Sequence, residues 1–216
     1  MKQAEIIAWA KLKMQSAAEP ALETGYRLHH GQRVARLALA LADKESLLVD
    51  RDLLFIGALL HDVGKSGDVG KGHGPRGARL IEEEIAHLFT AEELRRVTTI
   101  VAGHYLRPKS KFQRNQPDPG WPAEVLLVQD ADALDHFGAN GVWIAHHWAA
   151  KEQRSQTATI EEHFGPGREW YEEALRAMNH PAAVAELKQR MAFTDAYMRE
   201  WQRENCGELV SSDEKL

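Results

Sequence analysis

Apolar residues recur along this chain with the spacing of α-helices, and this periodicity is the feature that most limits the folds open to it. A spacing of about 3.6 residues is clear over residues 6–14, 34–41 and 53–60. The third stretch is apolar almost all round, which is typical of a helix buried on every side. No long alternation of apolar and polar residues indicates a β-sheet. The pattern therefore predicts an all-α fold.

The length of 216 residues, without internal repeats or a dividing linker, favours a single domain. We expect this domain to span residues 1–206, with a core over 22–150 and C-terminal helices over 160–205. Helical stretches are predicted at residues 22–45, 76–87, 91–104, 124–134, 170–178 and 182–204. Residues 207–216 are expected to form a flexible tail.

The balance of charge argues against two broad classes of partner. The chain has 27 Lys and Arg against 32 Asp and Glu, a formal net charge of −5. Binding to nucleic acid or to membrane surfaces depends mostly on Lys and Arg, so we expect neither. The longest strongly apolar run, residues 53–60, is eight residues long, whereas a membrane span needs about 20.

The cysteine content and the N-terminal residues bear on the compartment. Cys206 is the single cysteine, so no internal disulfide can form and the chain suits a reducing compartment. Glu5, Lys11 and Lys13 interrupt the apolar residues near the N-terminus, which therefore lacks the apolar core of a signal peptide. These features predict a cytoplasmic protein.

The strongest candidate for chemistry is the pair His61-Asp62, which directly follows the apolar stretch. An ionised aspartate in such a buried place costs on the order of several kcal/mol unless it is paired or bound to a metal. His30 lies on the apolar face of its predicted helix and so points toward the core. Another apolar stretch is interrupted by the carboxylates Asp130, Asp132 and Asp135. One of these carboxylates is expected to face the same interior.

Together these residues resemble the H…HD…D signature of the HD-domain superfamily of metal-dependent phosphohydrolases. The matching motifs are His30 with Gln32-Arg33-Val34, the run His61-Asp62-Val63-Gly64-Lys65, and the run Ala131-Asp132-Ala133-Leu134-Asp135. The resemblance covers about residues 26–141 and implies a helical bundle that holds a divalent ion between its core helices. The ligands that it implies are His30, His61, Asp62 and Asp132, with Asp130 as the alternative for the fourth.

Two imidazoles and two carboxylates suit a divalent transition metal such as Mn²⁺, Fe²⁺, Co²⁺, Ni²⁺ or Zn²⁺, whereas Mg²⁺ prefers oxygen ligands. His73 and His104 match positions that bind a second metal in binuclear members of the superfamily. Tyr105 stands where those members often carry another histidine. The two histidines are therefore expected either to hold a second metal or to act beside the substrate.

Positive charges follow the metal motif and collect in two irregular segments, a glycine-rich loop over residues 64–74 and a proline-broken segment over 107–122. The candidates for phosphate binding are Lys65, Lys71, Arg76, Arg79, Arg107, Lys109, Lys111 and Arg114. With the resemblance, they favour a small phosphorylated substrate such as a nucleotide. We expect Asp62 to orient the reactive water and Lys65 to stabilise phosphoryl oxygens. His104 is expected to assist Lys65, and His73 is one candidate for protonating the leaving group.

Two alternatives to a phosphohydrolase stay open. A di-iron oxygenase on the same fold would use His73 and His104 for its second iron. A non-catalytic helical scaffold would use the metal only for stability or sensing. The six tryptophans are expected to pack in the core or on a homodimer face rather than to stack on bases.

Overall fold

The computed structural model describes residues 1–15, 24–65, 72–107, 109–110 and 120–209. Helices α1 to α10 are, in chain order, Gln3–Met14, Tyr26–Lys44, Arg51–Leu60, His73–Ile85, Ala91–Gly103, Ala123–Asp135, Ala139–Lys151, Gln156–Phe164, Gly167–Ala177 and Pro181–Asn205. Short 3-10 turns lie at Val63–Lys65 and Ala86–Leu88. No strand occurs in the described residues, and the prediction of an all-α fold is confirmed.

Helix α3 forms the centre of the N-terminal core. It packs against α1, α2, α5 and α6, and side chains such as Leu54 and Leu60 are completely buried. Each buried side chain of this kind contributes about 1.5–3 kcal/mol relative to an exposed one. The helix begins at Asp50, whose carboxylate accepts hydrogen bonds from the backbone N–H groups of Asp52 and Leu53. The chain thus buries an apolar helix that leads directly into the His61-Asp62 pair.

Helices α2 and α3 approach each other closely at Gly31. A Cβ atom on this residue would lie 2.5 Å from the backbone oxygen of Leu59, so only glycine fits there. The neighbouring residue His30 lies on α2, and His61 caps the C-terminus of α3. The close approach therefore brings two histidines from different helices to the same place.

Helices α5 and α6 supply the other side of this core. Thr90 caps α5 with a capping box, since its side chain and that of Glu93 each accept from the other's backbone N–H. His104 follows α5 as its C-cap. Helix α6 packs against α2, α3 and α5, and also against α10. It therefore connects the N-terminal helices to the C-terminal ones.

The C-terminal helices differ from the sequence-based expectation. Helix α8 was not predicted, because its nine residues are few and mostly polar, although Ser155 caps its first turn. Trp170 is 69% exposed and Trp143 is 36% exposed, so these two do not pack in the core of the single chain, and a homodimer face for them stays a prediction. Residues 210–216 of the predicted tail lie outside the described residues. Among the described helices, none is both long and apolar enough to cross a membrane.

Candidate metal centre

The structure brings the four predicted ligands together from two helices, α2 and α6, and from the C-terminal end of α3. The Nε2 atom of His30 lies 3.2 Å from Nε2 of His61 and 3.2 Å from Oδ1 of Asp132. Nε2 of His61 lies 3.8 Å from Oδ1 of Asp62 and 3.6 Å from Oδ1 of Asp132. His30, His61 and Asp62 are buried, and the side chain of Asp132 is 18% exposed. The cluster is thus mostly shielded from solvent, with Asp132 on its open side.

Backbone carbonyls determine which ring nitrogen of two histidines carries the proton. Nδ1 of His61 lies 2.7 Å from the oxygen of Ala58, and Nδ1 of His104 lies 2.7 Å from the oxygen of Val101. A carbonyl oxygen can only accept, so Nδ1 carries the hydrogen in both rings. Each neutral ring then presents a lone pair on Nε2 toward the cluster, which is the arrangement that a metal ligand requires.

A carboxylate orients the ring of His30. Nδ1 of His30 lies 2.7 Å from Oδ2 of Asp135, and Asp135 also accepts hydrogen bonds from Arg33 and from the side-chain amide of Asn140. The Asp135 carboxylate is therefore fixed in place, and its hydrogen bond directs Nε2 of His30 into the cluster. Asp135 was predicted only as one of three candidate carboxylates, and its partnership with His30 was not foreseen.

Asp62 lies at the centre of the site, and its two oxygens differ. Oδ2 accepts from Nη1 of Arg27 at 3.0 Å and from Nζ of Lys65 at 2.8 Å. Oδ1 is buried and accepts no hydrogen bond from the described residues, although Nε2 of both His73 and His104 lies 3.5 Å away. Nε2 of His104 carries a lone pair rather than a hydrogen, so it cannot donate a hydrogen bond to Oδ1 of Asp62. A cation between these two atoms would satisfy both of them.

His73 and His104 form a second group with Asp62. Their Nε2 atoms lie 2.9 Å apart, and together with a carboxylate oxygen of Asp62 they are close enough to share one ion. The prediction placed both histidines near the site without deciding between a second metal and a substrate role. The donor set of imidazoles and one carboxylate fits a divalent transition metal here as in the first group.

The electrostatic field of the cluster favours positive charge. Burial raises the pKa of Asp62, but the neighbouring imidazoles of His61 and His104, with Lys65, lower it well below its usual range. Burial lowers the pKa of His30, yet hydrogen bonds to two carboxylates outweigh burial and raise it to about 9. Burial and the charge of Lys65 lower the pKa of His73 to about 4. The field that attracts a proton to His30 also attracts a metal cation.

Asp130 lies on a different face of α6 from Asp132. Its carboxylate accepts from the backbone N–H and side chain of Asn179 at 2.9 and 3.0 Å, and from the backbone N–H and Nδ1 of His180 at 3.0 and 2.8 Å. None of the His/Asp groups found in the described residues includes Asp130. The carboxylate instead holds the chain between α9 and α10 against α6.

The predicted phosphate-binding cations fall into three classes. Lys65 and Arg107 lie at the cluster, where Nη2 of Arg107 donates to Oδ2 of Asp132 at 2.9 Å. Nε of Arg76 donates to the backbone oxygen of Gly64, Lys109 donates to the backbone oxygen of Met178, and Arg79 is exposed on α4. Lys71, Lys111 and Arg114 lie outside the described residues. Among the described members of this set, Lys65 and Arg107 are the two that contact the candidate metal-binding carboxylates Asp62 and Asp132.

Two residues at the site were not considered in the sequence analysis. Arg27 lies one residue after the start of α2, and its role was invisible because it depends on the approach of α2 to Asp62. His136 caps α6, its Nδ1 lies 2.9 Å from the backbone oxygen of Asp132, and its ring centroid is 5.2 Å from that of His30. Its position four residues after Asp132, one helical turn away, was a signal that the sequence offered.

The family comparison and the solved structures agree with this fold. The HD domain family model matches residues 27–136, just over half of the chain. An HD-superfamily hydrolase from Bacillus thuringiensis is 21% identical with a TM-score of 0.68, over 96% of this chain and 98% of that one. Bacillus subtilis YpgQ in complex with ADP is 22% identical with a TM-score of 0.62, over 94% and 97%.

A protein of Lactobacillus plantarum is also 22% identical, with a TM-score of 0.61 over 96% of this chain and 98% of that one. Because the identities are only 21–22%, these solved structures show that this chain shares their fold and no more. No curated protein sequence gives a significant match. The matched residues 27–136 contain the HD pair and its partners on α2 and α6. The chain is therefore a member of the HD domain family.

Proposed function

We propose that this protein is a metal-dependent phosphohydrolase that cleaves a phosphate ester or anhydride of a small substrate, a nucleotide in particular. The observation that carries the proposal is the buried, unsatisfied Oδ1 of Asp62, which lies between two histidine groups. Such an oxygen is costly in the absence of a cation. Family membership supports the same conclusion.

His30, His61, Asp62 and Asp132 would hold the first ion, which we propose to be Mn²⁺, Fe²⁺, Co²⁺, Ni²⁺ or Zn²⁺ rather than Mg²⁺. Asp62 would share its free oxygen with a second position beside His73 and His104. When bound, a divalent ion supplies an activated water near neutral pH and neutralises charge on the phosphate.

The chain's own residues would position the substrate and balance its charge. Oδ2 of Asp62 is held by Arg27 and Lys65, which fixes the orientation of the free oxygen. The Nζ of Lys65, whose side chain is 22% exposed, would add positive charge where phosphoryl oxygens enter.

Arg107 would provide a second positive charge on the Asp132 side of the site. Because the pKa of His73 is lowered to about 4, its ring is neutral near pH 7. We therefore propose that His73 offers a lone pair, either to a second ion or to the substrate, rather than a proton to the leaving group.

The proposed nucleotide substrate has two supports. Positive charges lie at the site in a chain whose net charge is −5, as phosphate binding requires. Bacillus subtilis YpgQ, which shares the fold over nearly the full length of both chains, was solved in complex with ADP.

The deciding experiment combines metal analysis with a panel of substrates. Wild type, Asp62→Asn and the surface control Glu92→Gln are analysed for bound metal and assayed on phosphomonoesters, phosphodiesters and nucleoside triphosphates with added Mn²⁺, Co²⁺ or Ni²⁺. We expect turnover in wild type and in the control, and loss of most of it in Asp62→Asn. A complete absence of turnover, or equal turnover in all three proteins, contradicts the proposal.

The second group of ligands favours one further candidate, a di-iron oxygenase. His73, His104 and the free oxygen of Asp62 could hold a second iron. Two irons per chain together with oxygen consumption would favour this function over hydrolysis. A metal that raises the melting temperature without turnover of any substrate would instead indicate a non-catalytic scaffold.

A further inference from the structure

A large cavity lies beside the metal centre, between helices α7, α8, α9 and α10. Its volume is about 670 Å³. A smaller cleft of about 320 Å³ is lined by Asp132 and Arg107 of the metal centre. His136, Phe137 and Trp170 line both spaces. A substrate whose phosphate lies at Asp132 and Arg107 would therefore have space for its remaining part in the larger cavity.

The walls of the larger cavity are rich in aromatic and thioether side chains. Phe137, Trp148 and Trp170 line it together with Met191 and Met198 of α10. Trp170 is 69% exposed. Aromatic faces of this kind stack on flat heteroaromatic rings. The lining thus suits a planar ring.

Two buried hydroxyl groups in this cavity can only accept hydrogen bonds. The hydroxyl of Thr159 donates to the backbone oxygen of Ser155 at 2.8 Å, and that of Thr194 donates to the backbone oxygen of Arg190 at 3.0 Å. Each hydroxyl has one proton and uses it on its own helix. Both threonines are buried and line the cavity, so their oxygens present lone pairs.

The other polar groups of the cavity include acceptors and a donor. Nε2 of His163 lies 2.8 Å from Oδ1 of Asp195, so Nε2 carries a hydrogen that it donates to this carboxylate. Arg168 donates to the other oxygen of Asp195 at 2.7 Å, which holds the pair in place. Arg154 also lines the cavity, and its buried Nε makes no hydrogen bond in the described residues, although it lies 2.9 Å from Oε2 of Glu152. Arg154 is therefore a donor, whereas the two threonine hydroxyls and the carboxylates of Glu152 and Glu162 supply acceptors.

We propose that this cavity binds the base of a nucleotide and selects bases that carry an exocyclic amino group. This role rests on the proposed function, because the phosphate must lie at the metal centre. An amino group donates two hydrogens to the acceptors of the cavity, whereas a keto oxygen at the same position places a lone pair against them. Thr159 and Thr194 are the residues that distinguish the amino group from the keto oxygen.

Adenosine and inosine nucleotides test this selectivity, because they differ by the amino and keto groups on the six-membered ring. We expect kcat/KM of wild type to be at least about tenfold higher for adenosine nucleotides. In Thr194→Val and Thr159→Val, which remove the hydroxyl with little change of volume, the ratio should fall toward one. Thr98→Val is the matched control. The buried hydroxyl of Thr98 also donates to the backbone oxygen four residues earlier, that of Leu94, but Thr98 does not line the cavity.

Trp170→Ala gives an independent measurement of stacking. It should lower kcat/KM for nucleotides by a larger factor than kcat/KM for inorganic tripolyphosphate, since that substrate has no base. Equal kcat/KM for adenosine and inosine nucleotides in wild type, or an unchanged ratio in both threonine variants, would overturn the proposal and leave the phosphohydrolase function standing.

If no phosphate compound is hydrolysed at all, the proposed function fails and binding decides the question. Tryptophan fluorescence and calorimetry then report the affinity of metal-free protein for adenosine and for inosine. Tighter binding of adenosine that weakens in Thr194→Val but not in Thr98→Val supports the site. Equal or absent binding of the two nucleosides rejects it.

Discussion

His30 and Asp135 form a hydrogen bond of 2.7 Å that links α2 to α6 at the candidate metal centre. The bond joins residues far apart in the chain, and it orients the ring whose other nitrogen faces His61 and Asp132. Because the carboxylate is itself held by Arg33, the histidine is positioned before any ion binds. Several consequences of this arrangement can be measured.

Asp135→Asn should weaken metal binding about 10- to 100-fold, because it removes the charge that orients His30 and raises its basicity. Competition with a chromogenic chelator measures the affinity. Arg33→Gln is the control, since it disturbs the same carboxylate but leaves its bond to His30, and its effect should be smaller. Equal affinities in Asp135→Asn and wild type would show that the bond has no role in metal binding.

The two neighbouring aspartates of α6 should separate metal binding from stability. Asp132→Ala should lower the metal content of the purified protein, because its carboxylate lies at the cluster. Asp130→Asn should keep the metal but lower the free energy of unfolding by about 1–3 kcal/mol, because the amide retains one of the two accepting oxygens and the hydrogen bonds to the other are lost. Elemental analysis and denaturant unfolding measure the two effects. The reverse pattern would make Asp130 the ligand.

The metal-free protein should lose stability as the pH rises from about 6.5 to about 9. The pKa of His30 is raised to about 9 in the folded chain, so its contribution is complete below the unfolded value of about 6.5 and disappears above the folded one. Metal binding near pH 8 should release this proton. Melting temperatures across the range, and proton release in weak buffer, test this. His30→Gln should flatten the pH dependence in that window.

Lys65→Ala should retain the metal and lower kcat by about 100-fold, the loss typical of removing one group that stabilises developing charge. Lys65 donates to Oδ2 of Asp62, which also accepts from Arg27. It does not contact Oδ1, the oxygen near His73 and His104. Metal analysis and steady-state kinetics measure the two effects separately. Lys65→Arg should recover part of the rate. A full rate in the alanine variant would remove the proposed role of Lys65 in turnover.

Gly31→Ala should both destabilise the protein and weaken metal binding. The new Cβ would lie 2.5 Å from the oxygen of Leu59, so α2 must move away from α3 at a cost of about 1–3 kcal/mol. His30 would move with α2 and separate from His61. Ala40→Ser, on an exposed position of the same helix, should change neither property. Thermal unfolding and metal titration test both expectations, and normal metal affinity in Gly31→Ala would contradict them.

Local sequence was enough to predict most of the fold. The apolar spacing that predicts α2 and α3 arises from side chains one turn apart, and the caps at Asp50 and Thr90 depend on residues two or three positions away. Helix α8 was missed because a short polar stretch carries little periodicity, and packing against α10 compensates for what its sequence lacks.

The candidate site was predictable in its residue types but not in its geometry. The HD pair and the run of aspartates stand out in the sequence because charged groups interrupt apolar stretches. Asp130 and Asp132 are only two residues apart, about 200° around a helix, so the sequence alone left both as candidate ligands. The packing of α6 turned Asp132 toward His30 and Asp130 toward residues 179–180.

Tertiary structure also determined the contacts between residues that are far apart in the sequence. Sequence determined that His73, His104 and Asp62 were present, but only the packing of α4 and α5 beside the HD pair brought their atoms within 3.5 Å. The role of Arg27, and the cavity lined by Thr159 and Thr194, arose in the same way. Helical periodicity is a property of neighbours in the chain, whereas a site depends on the relative rotation and distance of whole helices.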